Sequence, residues 1–224
     1  MRDFSLMGID IGTSAVKVLL WRRDGGFRLA CRAAKESYVK GCTSDVPEQD
    51  PIRLWQIVAA CIREVLLGCD PQTVAGVGLA GHGPSLVAVD SDGGPVGNII
   101  TWTDPRPLMI KDCGNTYGGP SFEATAKWIY KQLKSAGKRD IQESGIRVLQ
   151  PKDYIGLRLT GEMRIDSSAA SCMEWRLDDT GNISLSDPAG GLFPKVADPW
   201  EPIGRVTQDA QEATGLPQGI PVAS

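Results

Sequence analysis

The hydrophobic pattern at the start of the chain predicts three β-strands in succession. An apolar run over residues 7–11 is followed by a glycine and two hydroxyl residues, and a second apolar run covers residues 15–21. The turn sequence at residues 22–26 precedes residues 27–34, which can return as a third strand. This opening predicts an antiparallel meander.

A helix and a buried strand are predicted next, after a polar loop over residues 35–50. Asp50 and Pro51 mark a helix start, and apolar side chains recur at helical spacing until Gly68. The apolar run over residues 73–80 contains small residues and is typical of a buried parallel strand. Ligands of open sheets bind at the carboxyl ends of such strands, so we expect binding residues at 81–84.

The rest of the chain predicts shorter elements. In chain order they are a hairpin of 86–89 with 99–102 around the turn at 90–94, helices over 121–136 and 140–160, an irregular region over 161–205, a helix over 207–214 and a strand from 219. An antiparallel meander followed by a helix and a parallel strand indicates an α/β protein, with helices on the faces of a mixed sheet.

Composition narrows the class of protein. The 224 residues are 42% hydrophobic and 23% charged, which is enough to bury a full core. The net charge of −3 and the absence of a dense Lys/Arg cluster argue against a nucleic-acid partner. No apolar stretch approaches the roughly 20 residues of a membrane span, and the N-terminus lacks the pattern of a signal peptide. We therefore expect a cytoplasmic protein without a membrane partner that binds small molecules.

The cysteines do not predict a metal site. The six cysteines form no C-x-x-C pair, and the chain contains one histidine, His82. We expect reduced thiols that are mostly buried.

The turn after the first strand has the residue types of a phosphate-binding hairpin. Gly12 lets the backbone turn without a Cβ, so that backbone amides and the hydroxyls of Thr13 and Ser14 can face phosphate oxygens. Asp10 at the strand end can hold a hydrated Mg²⁺. The same order of residues also describes an ordinary tight hairpin, in which Asp and Ser satisfy turn amides. Neither standard nucleotide-binding motif occurs, so these residues alone leave both interpretations open.

Five segments together resemble one protein family, the FGGY-family carbohydrate kinases, over nearly the whole chain and in the order of the family's N-terminal half. They are Gly-Ile-Asp-Ile-Gly-Thr-Ser at 8–14, Gln-Asp-Pro at 49–51, Gly-Leu-Ala-Gly at 78–81, Trp-Thr-Asp-Pro-Arg at 102–106, and Pro-Lys-Asp-Tyr at 151–154 with Thr-Gly-Glu at 160–162. The resemblance implies an actin-like, ribonuclease H-like fold. Residues 1–224 would then be the N-terminal domain of an enzyme that transfers phosphate from ATP to a sugar or polyol.

The resemblance also assigns the residues of an ATP site. Asp10 would hold Mg²⁺ through water, and Gly12, Thr13 and Ser14 would form the hairpin for the β- and γ-phosphates. Lys17 is a further candidate for this site. Alternation along the second strand alternatively places Lys17 on a solvated face, and this interpretation is the stronger of the two.

Three residues match the family's Trp-x-Asp-x-Arg run, which contacts the sugar. Trp102 would give a flat apolar wall to the C–H face of a sugar, while Asp104 and Arg106 would grip its hydroxyls. The alternative is a core tryptophan beside a surface ion pair. The run disfavours other actin-like enzymes, such as those acting on acyl groups or polyphosphate.

His82 departs from the family pattern, because relatives often carry glutamine there. The next two positions, where relatives have sugar-contacting side chains, are Gly83 and Pro84. The relatives' choice of sugar therefore cannot be carried over. His82 is a candidate to compensate as a hydrogen-bonding group, or else it is a satisfied loop residue.

Two further family segments predict structure more than chemistry. Lys152 and Asp153 are expected to cap or pair at a helix start, with Tyr154 packed beneath them. Residues 166–171 resemble a segment near the family's cleft, but a serine-rich turn is the simpler explanation.

The resemblance implies that the family's general base is an aspartate beyond Ser224, and we expect the adenosine-binding half to lie outside these residues as well. We therefore expect the chain to be inactive alone, as an excised domain or the product of a split gene. The alternative is a non-catalytic half that binds sugar or assembles with a partner. The resemblance is also compatible with a homodimer of the full-length enzyme.

Overall fold

The computed structural model describes residues 3–41, 47–110, 115–116, 119–137, 144–172, 176–177, 183–184, 192–198 and 200–224. The helices are α1 (Pro51–Leu66), α2 (Phe122–Ser135), α3 (Pro151–Thr160), α4 (Ser167–Cys172) and α5 (Gln208–Thr214), with 3-10 turns at Ala34–Ser37, Pro71–Thr73 and Arg106–Met109. None of the helices in these ranges is both long and apolar enough to cross a membrane.

The strands are numbered in chain order. They are β1 (Ser5–Ile11), β2 (Ala15–Arg22), β3 (Phe27–Ala33), β4 (Glu48–Gln49), β5 (Val74–Gly81), β6 (Val87–Val89), β7 (Ile99–Ile100), β8 (Asn115–Thr116), β9 (Gly119–Pro120), β10 (Arg147–Leu149), β11 (Arg164–Asp166), β12 (Arg176–Leu177), β13 (Ile183–Ser184), β14 (Lys195–Ala197), β15 (Gly204–Arg205) and β16 (Pro221–Ala223).

Six strands form the main sheet, in the order β15-β16-β5-β1-β2-β3. The predicted meander is confirmed, since β1 to β3 pair antiparallel in sequence. The predicted parallel strand is also confirmed, because β5 runs parallel to β1 with Gly81 opposite Ile11. On its other side β5 pairs in parallel with β16. The carboxyl ends of β1, β5 and β16 therefore meet at one edge of a mixed sheet.

The main core lies between this sheet and helix α1. Side chains alternate along β1, so that Ile9 and Ile11 are buried in the same apolar cluster as residues of α1 such as Leu54 and Ile62. Burying each of these side chains contributes about 1.5–3 kcal/mol. The helix begins as predicted, because the carboxylate of Asp50 accepts hydrogen bonds from the first free amides.

The structure differs from the sequence prediction around residue 150. A helix was predicted over residues 140–160, but 147–149 form strand β10, which pairs with β6, and the helix begins only at Pro151. Proline disfavours helical geometry in the residue before it, and Gln150 is extended with ψ 161°. Residues 138–143 lie outside the described part of the chain.

The predicted hairpin of residues 86–89 with 99–102 is also wrong, because these segments form strands that pair with other partners. Leu86 and Ile100 form only an isolated bridge, while β6 pairs with β10 and β7 pairs with β4. Strand β4 lies within the predicted loop over 35–50, and short elements interrupt the region over 161–205 that was predicted to be irregular. Strands of two or three residues carry too few side chains for their partners to be read from local pattern.

Three of the cysteines lie in described ranges with described side chains, and all three are free thiols. Cys61 is buried, Cys69 is partly buried and Cys31 is exposed. The expectation that the thiols are mostly buried holds for one of these three only.

Candidate active site

The turn after β1 is a tight hairpin that requires glycine at position 12. The amide of Gly12 donates to the carbonyl of Ala15 at 3.1 Å, and a Cβ on Gly12 would lie only 2.8 Å from that same oxygen. Thr13 and Ser14 at the tip are exposed. Their hydroxyls and amides are thus available to a ligand, and an oxyanion can bind such a turn.

Asp10 and Lys17 face each other across this hairpin. They are opposite in the β1–β2 register, and Lys17 Nζ lies 3.0 Å from Asp10 Oδ2. The hydrogen bond and charge of Asp10 raise the pKa of Lys17. Both side chains are about half exposed, so Lys17 does lie on a solvated face, and the pair adds little to stability.

Asp10 fits a magnesium site in which one carboxylate binds an ion that keeps most of its water. The described residues contain no group of three acidic or other metal-ligating side chains that would form a cage. Mg²⁺ commonly keeps several waters and binds one or two carboxylates together with phosphates. Asp10, 44% exposed beside a turn with free hydroxyls, suits that mode.

The end of β5 is hydrogen-bonded directly to the end of β1. The amide of His82 donates to the carbonyl of Ile11 at 3.0 Å. Behind this contact the end of β5 is tightly packed against α3, since a Cβ on Gly81 would lie 2.9 Å from Cβ of Lys152. The structure therefore places His82 beside the hairpin that contains Gly12.

The ring of His82 belongs to a small buried network. Its Nδ1 lies 3.1 Å from Oγ of Ser85, and the same Oγ accepts the backbone amide of Trp102 at 3.0 Å. Its Nε2 is buried and has no hydrogen-bond partner among the described residues. Burial lowers the pKa of His82, and the charge of Asp10 opposes this only in part. His82 is therefore a neutral imidazole at physiological pH.

Ser85 was not identified from the sequence. It lies three residues after His82 and is fully buried. A hydroxyl at that spacing carries no distinctive signal, and its partner Trp102 is distant in the chain.

Asp104 and Arg106 form an ion pair whose carboxylate is buried and whose guanidinium is partly exposed. Oδ1 of Asp104 accepts from Nε of Arg106 at 3.0 Å, and Oδ2 accepts from Nη2 at 2.5 Å. Asp104 is completely buried, which excludes the surface ion pair considered above. Trp102 is only partly buried and is not a core residue.

Two residues that the sequence did not indicate complete the setting of Arg106. Glu48 Oε1 accepts from Arg106 Nη2 at 2.5 Å, and the guanidinium stacks 4.5 Å from the centre of the Trp128 ring. Hydrogen bonds to Asp104 and Glu48 raise the pKa of Arg106, although partial burial opposes them. Glu48 and Trp128 come from a short strand and from α2, so only the tertiary fold reveals them.

A buried charged cluster lies behind the same edge of the sheet. Lys152 Nζ lies 2.8 Å from Asp153 Oδ1, 2.5 Å from Asp166 Oδ2 and 2.5 Å from Ser224 Oγ. The prediction that Lys152 and Asp153 pair, with Tyr154 packed in the core, is confirmed. Asp166 does not lie in a simple turn; it ends β11 and accepts the amide of Ala169 at 2.8 Å at the start of α4.

The charges of this cluster shift its pKa values in different directions. Burial raises the pKa of Asp153 to about 6, against the attraction of Lys152. Burial alone would lower the pKa of Lys152, but the two carboxylates outweigh it and raise that pKa. Burial opposes ionisation of Asp166 as well, yet its hydrogen bonds to Lys152 and Ala169 lower its pKa.

Comparison with known proteins gives a family match over nearly the whole chain. Residues 5–224 match the sequence model of the N-terminal domain of the FGGY family of carbohydrate kinases. The xylulose kinase of Staphylococcus epidermidis is 25% identical over 240 residues, covering 97% of this chain and 46% of the relative. The erythritol kinase of Brucella abortus is 26% identical, covering 97% of this chain and 45% of the relative.

Solved structures agree with this placement at the level of the fold. The xylulose kinase from Rhodospirillum rubrum superposes with a TM-score of 0.79 at 22% identity, over 100% of this chain and 48% of that one. The glycerol kinase of Plasmodium falciparum gives a TM-score of 0.77 at 14% identity, over 99% and 48%. The chain thus spans about half the length of the relatives that it matches.

Proposed function

The chain belongs to the FGGY family of carbohydrate kinases, and from this we propose that it is the sugar-binding half of an ATP-dependent kinase acting on a sugar or polyol hydroxyl. The observation that carries the proposal is the hydrogen bond from His82 to Ile11, at 3.0 Å. It brings a hairpin suited to phosphate and a cluster suited to a sugar to one edge of the sheet. We assign the adenosine site and the general base to a second domain, because the relatives are about twice as long.

At the phosphate end, each residue has a distinct task in this proposal. The amides and hydroxyls of Gly12, Thr13 and Ser14 bind the β- and γ-phosphate oxygens, and Asp10 holds the metal through its water shell. Lys17 orients Asp10 and adds positive charge near the phosphates. Mg²⁺ and ATP, when bound, supply charge neutralisation and the transferable phosphoryl group.

At the sugar end, Trp102 provides an apolar wall and Arg106 and His82 provide hydrogen-bond donors. Asp104 uses both carboxylate oxygens on Arg106, so we assign it to orienting that guanidinium over the sugar site. Glu48 and the Trp128 ring hold Arg106 from the other sides. A fixed guanidinium loses little entropy when it binds a hydroxyl, which favours specificity.

The test is a kinase assay on the complete gene product that contains this chain. ADP formation is measured with Mg²⁺, ATP and a panel of D-xylulose, erythritol, glycerol and gluconate. We expect turnover with at least one member, and loss of turnover in Asp10→Ala but not in the exposed control Asp92→Ala. Sugar binding without ADP formation would contradict the kinase function and favour a non-catalytic sugar-binding protein. Absence of both binding and turnover across a broad panel would overturn the proposal.

A further inference from the structure

One buried hydroxyl joins His82 to the backbone of Trp102. Oγ of Ser85 accepts the amide hydrogen of Trp102 at 3.0 Å and lies 3.1 Å from Nδ1 of His82. Ser85 itself is completely buried, so water cannot supply a missing partner from bulk solvent. Each hydrogen in this network can therefore be assigned by matching donors to acceptors.

The count favours one tautomer of the imidazole. If Nδ1 of His82 carried the hydrogen, it would donate to Ser85, and the Ser85 O–H would then need a separate acceptor. Among the described residues, Ser85 Oγ has hydrogen bonds only to His82 and Trp102. If Ser85 instead donates to an unprotonated Nδ1, its O–H is satisfied and the amide of Trp102 keeps its acceptor. The hydrogen of His82 then lies on Nε2.

We propose that Ser85 is a positioning residue that holds His82 in the Nε2–H tautomer, and that Nε2–H donates a hydrogen bond to an acceptor oxygen of the substrate. The donor is already prepared, since Nε2 is buried and has no partner within the described ranges. A buried donor without an acceptor has lost its hydrogen bond to water, and an arriving oxygen restores one. The part of this proposal that concerns the substrate rests on the proposed kinase function.

The tautomer defines the chemistry that His82 can recognise. A carbonyl or hydroxyl oxygen can accept from Nε2–H, whereas an ammonium group at that position would be rejected. Ser85 also fixes the backbone of Trp102, so a single hydroxyl sets the distance between this donor and the indole wall. The next two residues along the chain, Gly83 and Pro84, have no side chain that could donate a hydrogen bond.

The chain offers a direct test because His82 is its single histidine. Long-range ¹H–¹⁵N NMR on the 224-residue chain at neutral pH reports both ring nitrogens without ambiguity. We expect Nδ1 to resonate as an unprotonated nitrogen and Nε2 as a protonated one. In Ser85→Ala the preference should weaken towards a mixture, while Ser5→Ala, another buried serine at the far end of β1, should leave it unchanged. A protonated Nδ1 in the wild type would overturn the assignment.

Binding tests the second part and separates it from the kinase function. Wild type and Ser85→Ala are titrated with D-xylulose and with erythritol. For the sugar that binds more tightly, the affinity of Ser85→Ala should be about 3- to 10-fold lower than that of the wild type, which corresponds to one neutral hydrogen bond. His82→Gln retains a donor and should bind better than His82→Phe. If a sugar binds equally to wild type and His82→Phe, the recognition role is overturned even though the kinase proposal stands. If neither sugar binds to the wild type, the role of His82 in recognising these sugars is overturned, and the NMR result decides the tautomer independently.

Discussion

Lys152 Nζ lies 2.5 Å from Asp166 Oδ2, although the two residues come from the start of α3 and the end of β11. Both side chains are less than one-tenth exposed. The same ammonium contacts Ser224 at the end of β16. The contact therefore ties three elements together behind the edge that carries the candidate active site.

Removing the charge of Lys152 should destabilise the fold severely. In Lys152→Met the carboxylates of Asp153 and Asp166 remain buried without their cation, so the free energy of unfolding should fall by about 3–5 kcal/mol. Urea denaturation followed by circular dichroism measures this. Lys17→Met is the matched control, because that lysine is half exposed and its loss should change stability by at most about 0.5 kcal/mol. Equal losses in both variants would contradict the role of the cluster.

Asp153 should give the chain a specific pH dependence. Its pKa lies at about 6 in the folded chain against an ordinary value of 3.8, so the folded state binds the extra proton between these values. The contribution of Asp153 to stability is therefore fully present at low pH and falls as the pH rises through this window. The full difference is on the order of 3 kcal/mol.

The measurement compares wild type and Asp153→Asn by urea denaturation at about pH 4 and about pH 7. Asparagine cannot ionise, so the variant should gain stability relative to wild type as the pH rises. Asp166 has a lowered pKa and favours the folded state at the higher pH in both proteins, so its own titration acts in the same direction in each. A relative gain in Asp92→Asn of the same size would show that the effect is not specific to Asp153.

Gly12→Ala should disrupt the hairpin after β1. The new Cβ would lie 2.8 Å from the carbonyl oxygen of Ala15, and backbone has to move to admit it. We expect a loss of about 1–3 kcal/mol in the free energy of unfolding. In the complete gene product we also expect a rise in the KM for ATP. Gly8→Ala is the control in the same strand, since a Cβ there has nothing within 4 Å.

Asp10 and Trp102 should affect different kinetic parameters of the complete gene product. Asp10→Ala should lower kcat much more than it weakens sugar binding, because Asp10 serves the metal and the phosphates. Trp102→Ala should weaken sugar binding by about 0.5–1.5 kcal/mol, the value of an aromatic contact, with a smaller change in kcat. Trp200→Ala controls for loss of an indole, since Trp200 is 90% exposed. Equal kcat for Asp10→Ala and wild type would contradict the metal role.

Local patterns in the sequence predicted the first three strands and helix α1, but not the pairing of β6 and β7 beside Trp102. The alternation that buries Ile9 and Ile11, and the cap formed by Asp50, act within a few residues and can be read directly. The contact of Glu48 with Arg106 joins residues far apart in the chain, and that of Lys152 with Ser224 does so as well. Nothing in the local sequence specifies such pairs, because they depend on how the elements pack.

The position of β16 in the sheet has a consequence for synthesis and handling of the chain. Val222 pairs with Val77, so β5 receives its second neighbour only when the last described residues have been made. Such non-local pairing slows folding, and until it occurs the amides and carbonyls along one side of β5 are exposed as an open strand edge. Shortening the chain by its final strand should therefore favour intermolecular strand pairing, with insoluble aggregates as the visible product.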